Sequence, residues 1–266
     1  MASVTGMNAI STPMHSLSLA TEVSGSGPGI VLAHGASGDI PSNFGPLIPI
    51  LGRDHTVVAP SYPADDTPLQ LDRLADALVE SAVGAGVETF TVVGYSLGTA
   101  VAVRATARHP ERVRGLVLAA GFAKADNRLR LLTQLWQDAL RHGDLDGFAR
   151  LALTTGFGTD FVNALPPEAL PALVSQVAAA VPAGTPTQAR LIAEADTTGD
   201  LPSITVPTLV VNATADLLVS PANSRFLAES IRGSEYAELP VGHVLMAEQP
   251  EQWHDLVTGF LARHGL

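Results

Sequence analysis

The sequence predicts an α/β fold: a mostly parallel, eight-stranded sheet flanked by helices, with a helical cap over one edge. Three observations predict it. From residue 30 onward, short apolar runs alternate with helix-period patterns, which is the rhythm of βα units. Between Gly121 and Leu201 that rhythm disappears and only helical patterns remain. Finally, Gly94-Tyr95-Ser96-Leu97-Gly98 joins an apolar run to an apolar helix pattern through a turn that needs small residues on both sides of the serine.

Taken in order, the first dozen residues are small and polar and read as a loose tail. Strands are expected at 14–20, 22–24, 29–33, 55–59, 89–93, 114–119, 206–212 and 235–239. The glycine-rich Gly25-Ser26-Gly27-Pro28-Gly29 leads into the third of these. Helices are expected at about 43–51, 68–84, 97–108, 219–231 and 247–264. Asn43, Asp66 or Thr67, and Ser220-Pro221 supply start signals for three of them, and His109-Pro110 stops the helix after the serine. Within 121–201 the pattern gives helices at roughly 125–142, 145–153, 159–163, 167–180 and 186–196, broken by Pro166-Pro167, Pro182 and Pro186. The chain thus divides into a core of residues 1–121 and 202–266 and a helical cap of 122–201.

Composition narrows the function. With 266 residues and 46% hydrophobic content, the chain can bury one large core. Cysteine is absent, which excludes disulfides, thiolate catalysis and cysteine-based metal sites. The net charge is −11 and Lys124 is the only lysine, so nucleic acid and anionic membranes are expected to be repelled. No run of eighteen apolar residues occurs and no basic-then-apolar leader opens the chain; no membrane partner and a cytoplasmic location are expected. The eight histidines show no metal-ligand spacing, so no metal and no cofactor are expected. Nothing in the sequence speaks to oligomeric state.

The chemistry concentrates at predicted strand carboxyl ends. Ser96 follows Thr89–Val93, Asp216 follows the late strand Thr208–Asn212, and His243 follows the last strand, Tyr236–Leu239. A serine in such a turn exposes its Oγ as a nucleophile; a histidine can take its proton, and a carboxylate can hold the imidazole tautomer. Asp216 could instead merely cap the helix near Ser220, with Asp196 and Asp200 as competing acids, yet those two precede the strand and belong to the other edge. Among the remaining histidines, His109, His254 and His264 lie in or at the end of helices, His55 starts a strand, and His15 and His142 fall away from this edge. His34, in His34-Gly35-Ala36 after Ile30-Val31-Leu32, is the only second candidate.

The stretch Glu22–Gly35, the Ser96 turn, the Asp216 loop and Gly242-His243-Val244-Leu245-Met246-Ala247-Glu248-Gln249-Pro250 together resemble the α/β-hydrolase superfamily, and the likeness spans nearly the whole chain in the order Ser, Asp, His. The resemblance implies a catalytic Ser96, Asp216 and His243, with an oxyanion hole formed by the backbone N–H groups of Ala36 and Leu97. His34 would then be a structural loop residue. A serine nucleophile speaks against the dehalogenase and epoxide-hydrolase branches, and the lack of a His-Gly-Gly-Gly run against the hormone-sensitive-lipase type. Val244 stands where carbon–carbon bond hydrolases of this fold usually carry an aromatic residue. Tyr95 and Thr99 replace more usual neighbours of the serine, with side chains free to point away from the turn.

The expected pocket includes Tyr95, Trp136, Phe157 and Val244, roofed by apolar cap residues, and its partner is a small apolar molecule. The leading expectation is therefore a serine hydrolase of the carboxylesterase or thioesterase kind, cleaving an ester, thioester or lactone with a largely apolar acyl part through an acyl-enzyme. Two alternatives stay open at this level. One is a carbon–carbon bond hydrolase, lyase or cyclase using the same pocket, and the other is a non-catalytic small-molecule receptor on the same fold.

Overall fold

The computed structural model describes residues 17–266. Its sheet has seven strands: β1 (Ala20–Gly25), β2 (Gly29–Ala33), β3 (Thr56–Ser61), β4 (Phe90–Tyr95), β5 (Val113–Ala119), β6 (Thr208–Ala213) and β7 (Glu235–Leu239). Their order is β1-β3-β2-β4-β5-β6-β7. Only β1 runs antiparallel to its neighbour. The expected eight strands become seven among the described residues, because one strand, β1, occupies the place of the separate 22–24 strand and continues past it to pair along all of β3. The loose tail, His15 and residues 14–16 of the strand expected at 14–20 lie outside the described residues; of the remainder, 17–19 are not strand and Ala20 opens β1.

Strands β2, β4, β5 and β6 are buried on both faces, which is why they read as unbroken apolar runs. Side chains alternate between the faces with period two. Val31, Val92, Leu116 and Val210 pack with Leu74, Leu78 and Val101, from helices α3 (Leu71–Gly84) and α4 (Leu97–Arg108). Ile30, Val93, Val117 and Val211 pack on the opposite side with Phe44, Trp253 and Phe260. These come from α1 (Ile40–Phe44) and α12 (Pro250–His264); the short α2 (Ile48–Leu51) follows α1 and the short α11 (Leu245–Glu248) precedes α12.

The N-terminal signals sort differently from expectation. Asp39, not Asn43, caps α1, through a reciprocal box with Ser42. Helix α3 begins after Gln70 with no side-chain cap, so neither Asp66 nor Thr67 starts it. Ser220 does cap α10 (Pro221–Ser230), accepting from the Ala222 N–H.

Residues 122–201 add no strand to this sheet. They carry α5 (Asn127–Arg141), α6 (Leu145–Gly156), α7 (Thr159–Asn163), α8 (Leu170–Ala179) and α9 (Thr185–Glu194). The two ends of the segment are tied together: Thr197 N–H donates to Ala123 O at 2.8 Å and Lys124 Nζ meets Asp196 Oδ2 at 2.7 Å. Arg104 of α4 clamps the same spot, donating to Asp200 Oδ2 and to the Asp196 carbonyl, each at 2.8 Å. The Lys124 contact holds the Asp196 carboxyl down at about 2. Both acids that competed with Asp216 are thus spent on this junction.

Chain order places the site. From β2 the chain steps to β3 on one side and then to β4 on the other, so β2 and β4 form the switch point of the sheet, where a crevice opens at the strand carboxyl ends. The loop after β2 carries His34-Gly35-Ala36 and the turn after β4 carries Ser96.

Candidate active site

Ser96 holds φ 54° and ψ −119°, a positive-φ conformation that a non-glycine residue adopts at a cost of about 1–3 kcal/mol. Its surroundings enforce it. The Ser96 N–H donates to Ala119 O at 3.0 Å. A Cβ on Gly94 would lie 2.6 Å from Gly98 O, and one on Gly98 would lie 1.9 Å from Ala33 O. Both glycines are therefore required by close backbone approach, as the turn motif implies. Thr99 does not point away idly: its hydroxyl donates to Ser96 O at 2.7 Å and braces the turn.

Asp216 and His243 converge on this serine. His243 Nδ1 lies 2.7 Å from Asp216 Oδ2 and His243 Nε2 lies 2.9 Å from Ser96 Oγ. All three residues are buried. The other Asp216 oxygen, Oδ1, accepts from the N–H groups of Leu218 and Val219, at 2.8 and 2.9 Å. An ionised carboxylate only accepts, so Nδ1 carries the imidazole proton and Nε2 presents its lone pair to the Ser96 hydroxyl. Asp216 does not cap the helix near Ser220, because Ser220 itself does; Oδ1 of Asp216 instead fixes the loop before that helix while Oδ2 faces His243.

The His243 loop is anchored independently. Tyr95 Oη donates to His243 O at 3.1 Å. Burial, aided by the charges of Asp216 and Glu248, pushes the Tyr95 phenol upward and keeps it a donor. Glu248 accepts from the N–H groups of Gly158 and Gly242, at 2.8 and 3.1 Å, and so ties the end of α6 to the histidine loop. The Val244 N–H also donates to Gly156 O at 2.9 Å.

The Ala36 loop is arranged by two residues whose part the sequence reading missed. Asn43 Oδ1 accepts from Gly35 N–H at 2.8 Å, and Gln188 of α9 accepts from Ser37 N–H at 2.8 Å. Both side chains are buried, Gln188 almost completely. A glutamine on the otherwise buried face of α9 was the available signal; Asn43 was misread as a cap because Asn is common there. No acceptor among the described residues takes the N–H of Ala36 or of Leu97.

A cavity of about 270 Å³ opens beside Ser96 and His243. Tyr95, Trp136, Phe157 and Val244 all line it, as does Ala36, while the Leu97 side chain turns into the core. Its remaining walls are mostly apolar, with Phe148 and Val177 from the helical segment and Leu218 from the Asp216 loop. No group of three or more metal-ligating side chains occurs among the described residues, and no described helix is long and apolar enough to cross a membrane.

His34 sits apart from this chemistry. Its Nε2 accepts from Tyr62 N–H at 2.9 Å, Nδ1 donates to Gly35 O at 2.8 Å, and the ring stacks on Tyr62 at 3.8 Å. Burial lowers its pKa from 6.5 to about 4. An unfolded chain therefore binds a proton near pH 6.5 that the folded protein refuses, so the stabilisation is complete above that pH and is lost as pH falls towards 4. Between pH 7 and pH 5 this group should remove about 2 kcal/mol of stability. Urea unfolding at the two pH values checks it: His34→Gln should lose correspondingly less than the wild type, and equal losses would refute the assignment.

The arrangement defines a class of α/β protein in which serine, histidine and carboxylate meet at the carboxyl edge of a parallel sheet. The chain belongs to the alpha/beta hydrolase family, whose model matches residues 30–256. It is 33% identical over 247 residues to a pyrrolizixenacetamide deacetylase of Xenorhabdus hominickii, covering 90% of this chain and 92% of that protein. A 3-oxoadipate enol-lactonase of Acinetobacter baylyi is 26% identical over 199 residues, covering 74% of this chain and 72% of the relative. Among solved structures, an alpha/beta hydrolase enzyme from a Medee basin deep-sea metagenome library superposes with TM-score 0.82 at 20% identity, over 92% and 94% of the two chains.

Proposed function

We propose that the protein is a serine hydrolase that cleaves an ester, thioester or lactone with a largely apolar acyl part. The observation that carries this reading is the continuous chain Asp216 Oδ2, His243, Ser96 Oγ, with contacts of 2.7 and 2.9 Å. Ser96 Oγ attacks the acyl carbon as His243 Nε2 takes its proton, and the tetrahedral oxyanion is held by the N–H groups of Ala36 and Leu97. His243 then returns the proton to the leaving oxygen, sulfur or nitrogen, giving an acyl-Ser96 intermediate. Water repeats the sequence and frees the acid. Asp216 keeps the proton on Nδ1 and offsets the imidazolium charge. Helices α5–α9 act as the cap that keeps bulk water from the acyl group, and the apolar walls select the acyl part.

A fluorophosphonate probe tests the first step, because it reacts only with an activated serine. One adduct at Ser96, located by mass spectrometry and absent from His243→Ala, is expected. An unlabelled Ser96 would favour the receptor alternative. Turnover is then sought among apolar esters, thioesters and lactones, with an acetamide included on the strength of the deacetylase relative.

A further inference from the structure

A second cavity, of about 250 Å³, adjoins the first and shares two of its walls, Leu153 and Phe157. Every residue lining it is apolar, with Phe161, Val162, Leu170 and Leu173 completing most of its surface. Phe157 lies at the end of α6 in extended conformation, φ −110° and ψ 151°. Its ring stacks on Phe161, with centroids 5.0 Å apart and planes 12° from parallel. The next residue, Gly158, is pinned through its N–H to the Glu248 carboxylate, and a Cβ there would lie 2.9 Å from that side chain. The ring between the chambers is thus held from both sides, by a neighbouring ring and by the backbone that fastens α6 to the histidine loop.

We propose that Phe157, with Leu153 beside it, is a partition that limits the length of acyl chain accepted at Ser96. The inference rests on the serine-hydrolase reading above. At about 270 Å³ the chamber at Ser96 falls just below the usual ligand-pocket range of roughly 300–1,000 Å³, whereas the two chambers joined would lie inside it. The native substrate class is therefore esters and their analogues with short apolar acyl groups. The second chamber is the space a longer aliphatic chain would enter once the partition is removed. Its occupant is the distal end of such a chain, because its walls continue those of the acyl pocket and offer no polar group to a headgroup.

Labelling of Ser96 by a series of alkyl fluorophosphonates, from ethyl to dodecyl, tests the partition without requiring the natural substrate. In the wild type, the labelling rate should fall as the chain outgrows the first chamber. Phe157→Ala, or Phe157→Leu if the first variant melts early by circular dichroism, should raise the octyl-to-ethyl rate ratio by about tenfold or more, on the scale of one methylene gained in an apolar pocket. Adding Leu173→Trp to Phe157→Ala fills the second chamber and should return the ratio to the wild-type value. Wild-type rates independent of chain length, or a profile unchanged in the Phe157 variants, would overturn the partition while leaving the nucleophile intact. Failure of every probe to label Ser96 would instead overturn the serine-hydrolase reading.

Discussion

Ser96→Ala is expected to lower kcat by about 10⁶-fold, the size of effect produced by removing the nucleophile of a serine triad. The fold should survive, for local reasons. The bonds that hold the turn run through the backbone: Ser96 N–H to Ala119 O, and the Thr99 hydroxyl to Ser96 O. Ser96 Oγ itself bonds His243 Nε2 and no other group among the described residues. Alanine has the same Cβ as serine, so the positive φ of 54° costs the variant no more than it costs the native chain. An unchanged thermal midpoint together with lost hydrolytic turnover is the expected pair of readings. A variant that kept a tenth of native activity would end the claim that Ser96 is the nucleophile.

The second large effect belongs to Asp216→Asn, and here the geometry dictates how the substitution acts. Two backbone donors, Leu218 N–H and Val219 N–H, point at Oδ1 and demand an acceptor there. An asparagine will therefore place its carbonyl oxygen at that position and turn its NH₂ group towards His243 Nδ1. Two donors cannot face each other, so the imidazole proton moves to Nε2, the atom that must accept from Ser96. The base is lost although its position is kept, and a fall of about 10⁴-fold in kcat is expected, the loss measured for this change in a triad protease. Asp200→Asn makes the contrast. That carboxylate bonds Arg104 at the foot of the helical segment, so its loss should leave the rate within a few fold of native. Steady-state kinetics on the three proteins decides, and a damaging Asp200→Asn beside an active Asp216→Asn would require the acid to be reassigned.

Legibility from the sequence followed the range of the interactions involved. Buried parallel strands advertise themselves because both faces are apolar, as in Ile30–Ala33 and Leu209–Val211. The serine turn is legible because close backbone approach at Gly94 and Gly98 admits only hydrogen as a side chain. The first strands were harder to place. Strand β1 is an exposed edge strand paired on one side only, so its residues carry little apolar signal. Helix starts were misassigned where the capping residue was one of several equivalent polar candidates, as with Asp39 and Asn43.

What the sequence determined by itself was the α/β class, the order of elements and the positions of Ser96, Asp216 and His243 at strand ends. Each of these depends on residues close together in the chain, through periodicity or turn sterics. Only the tertiary structure decided the rest. It gave Asp216 its two backbone donors, sent Asn43 and Gln188 to fasten the Ala36 loop, and used Glu248 to join the histidine loop to α6. It also set Phe157 between two apolar chambers. These contacts link residues far apart in sequence, such as Ser37 and Gln188 or Gly158 and Glu248. A buried polar or aromatic side chain must find some partner, but nothing local to it says which distant group the packing will bring within reach.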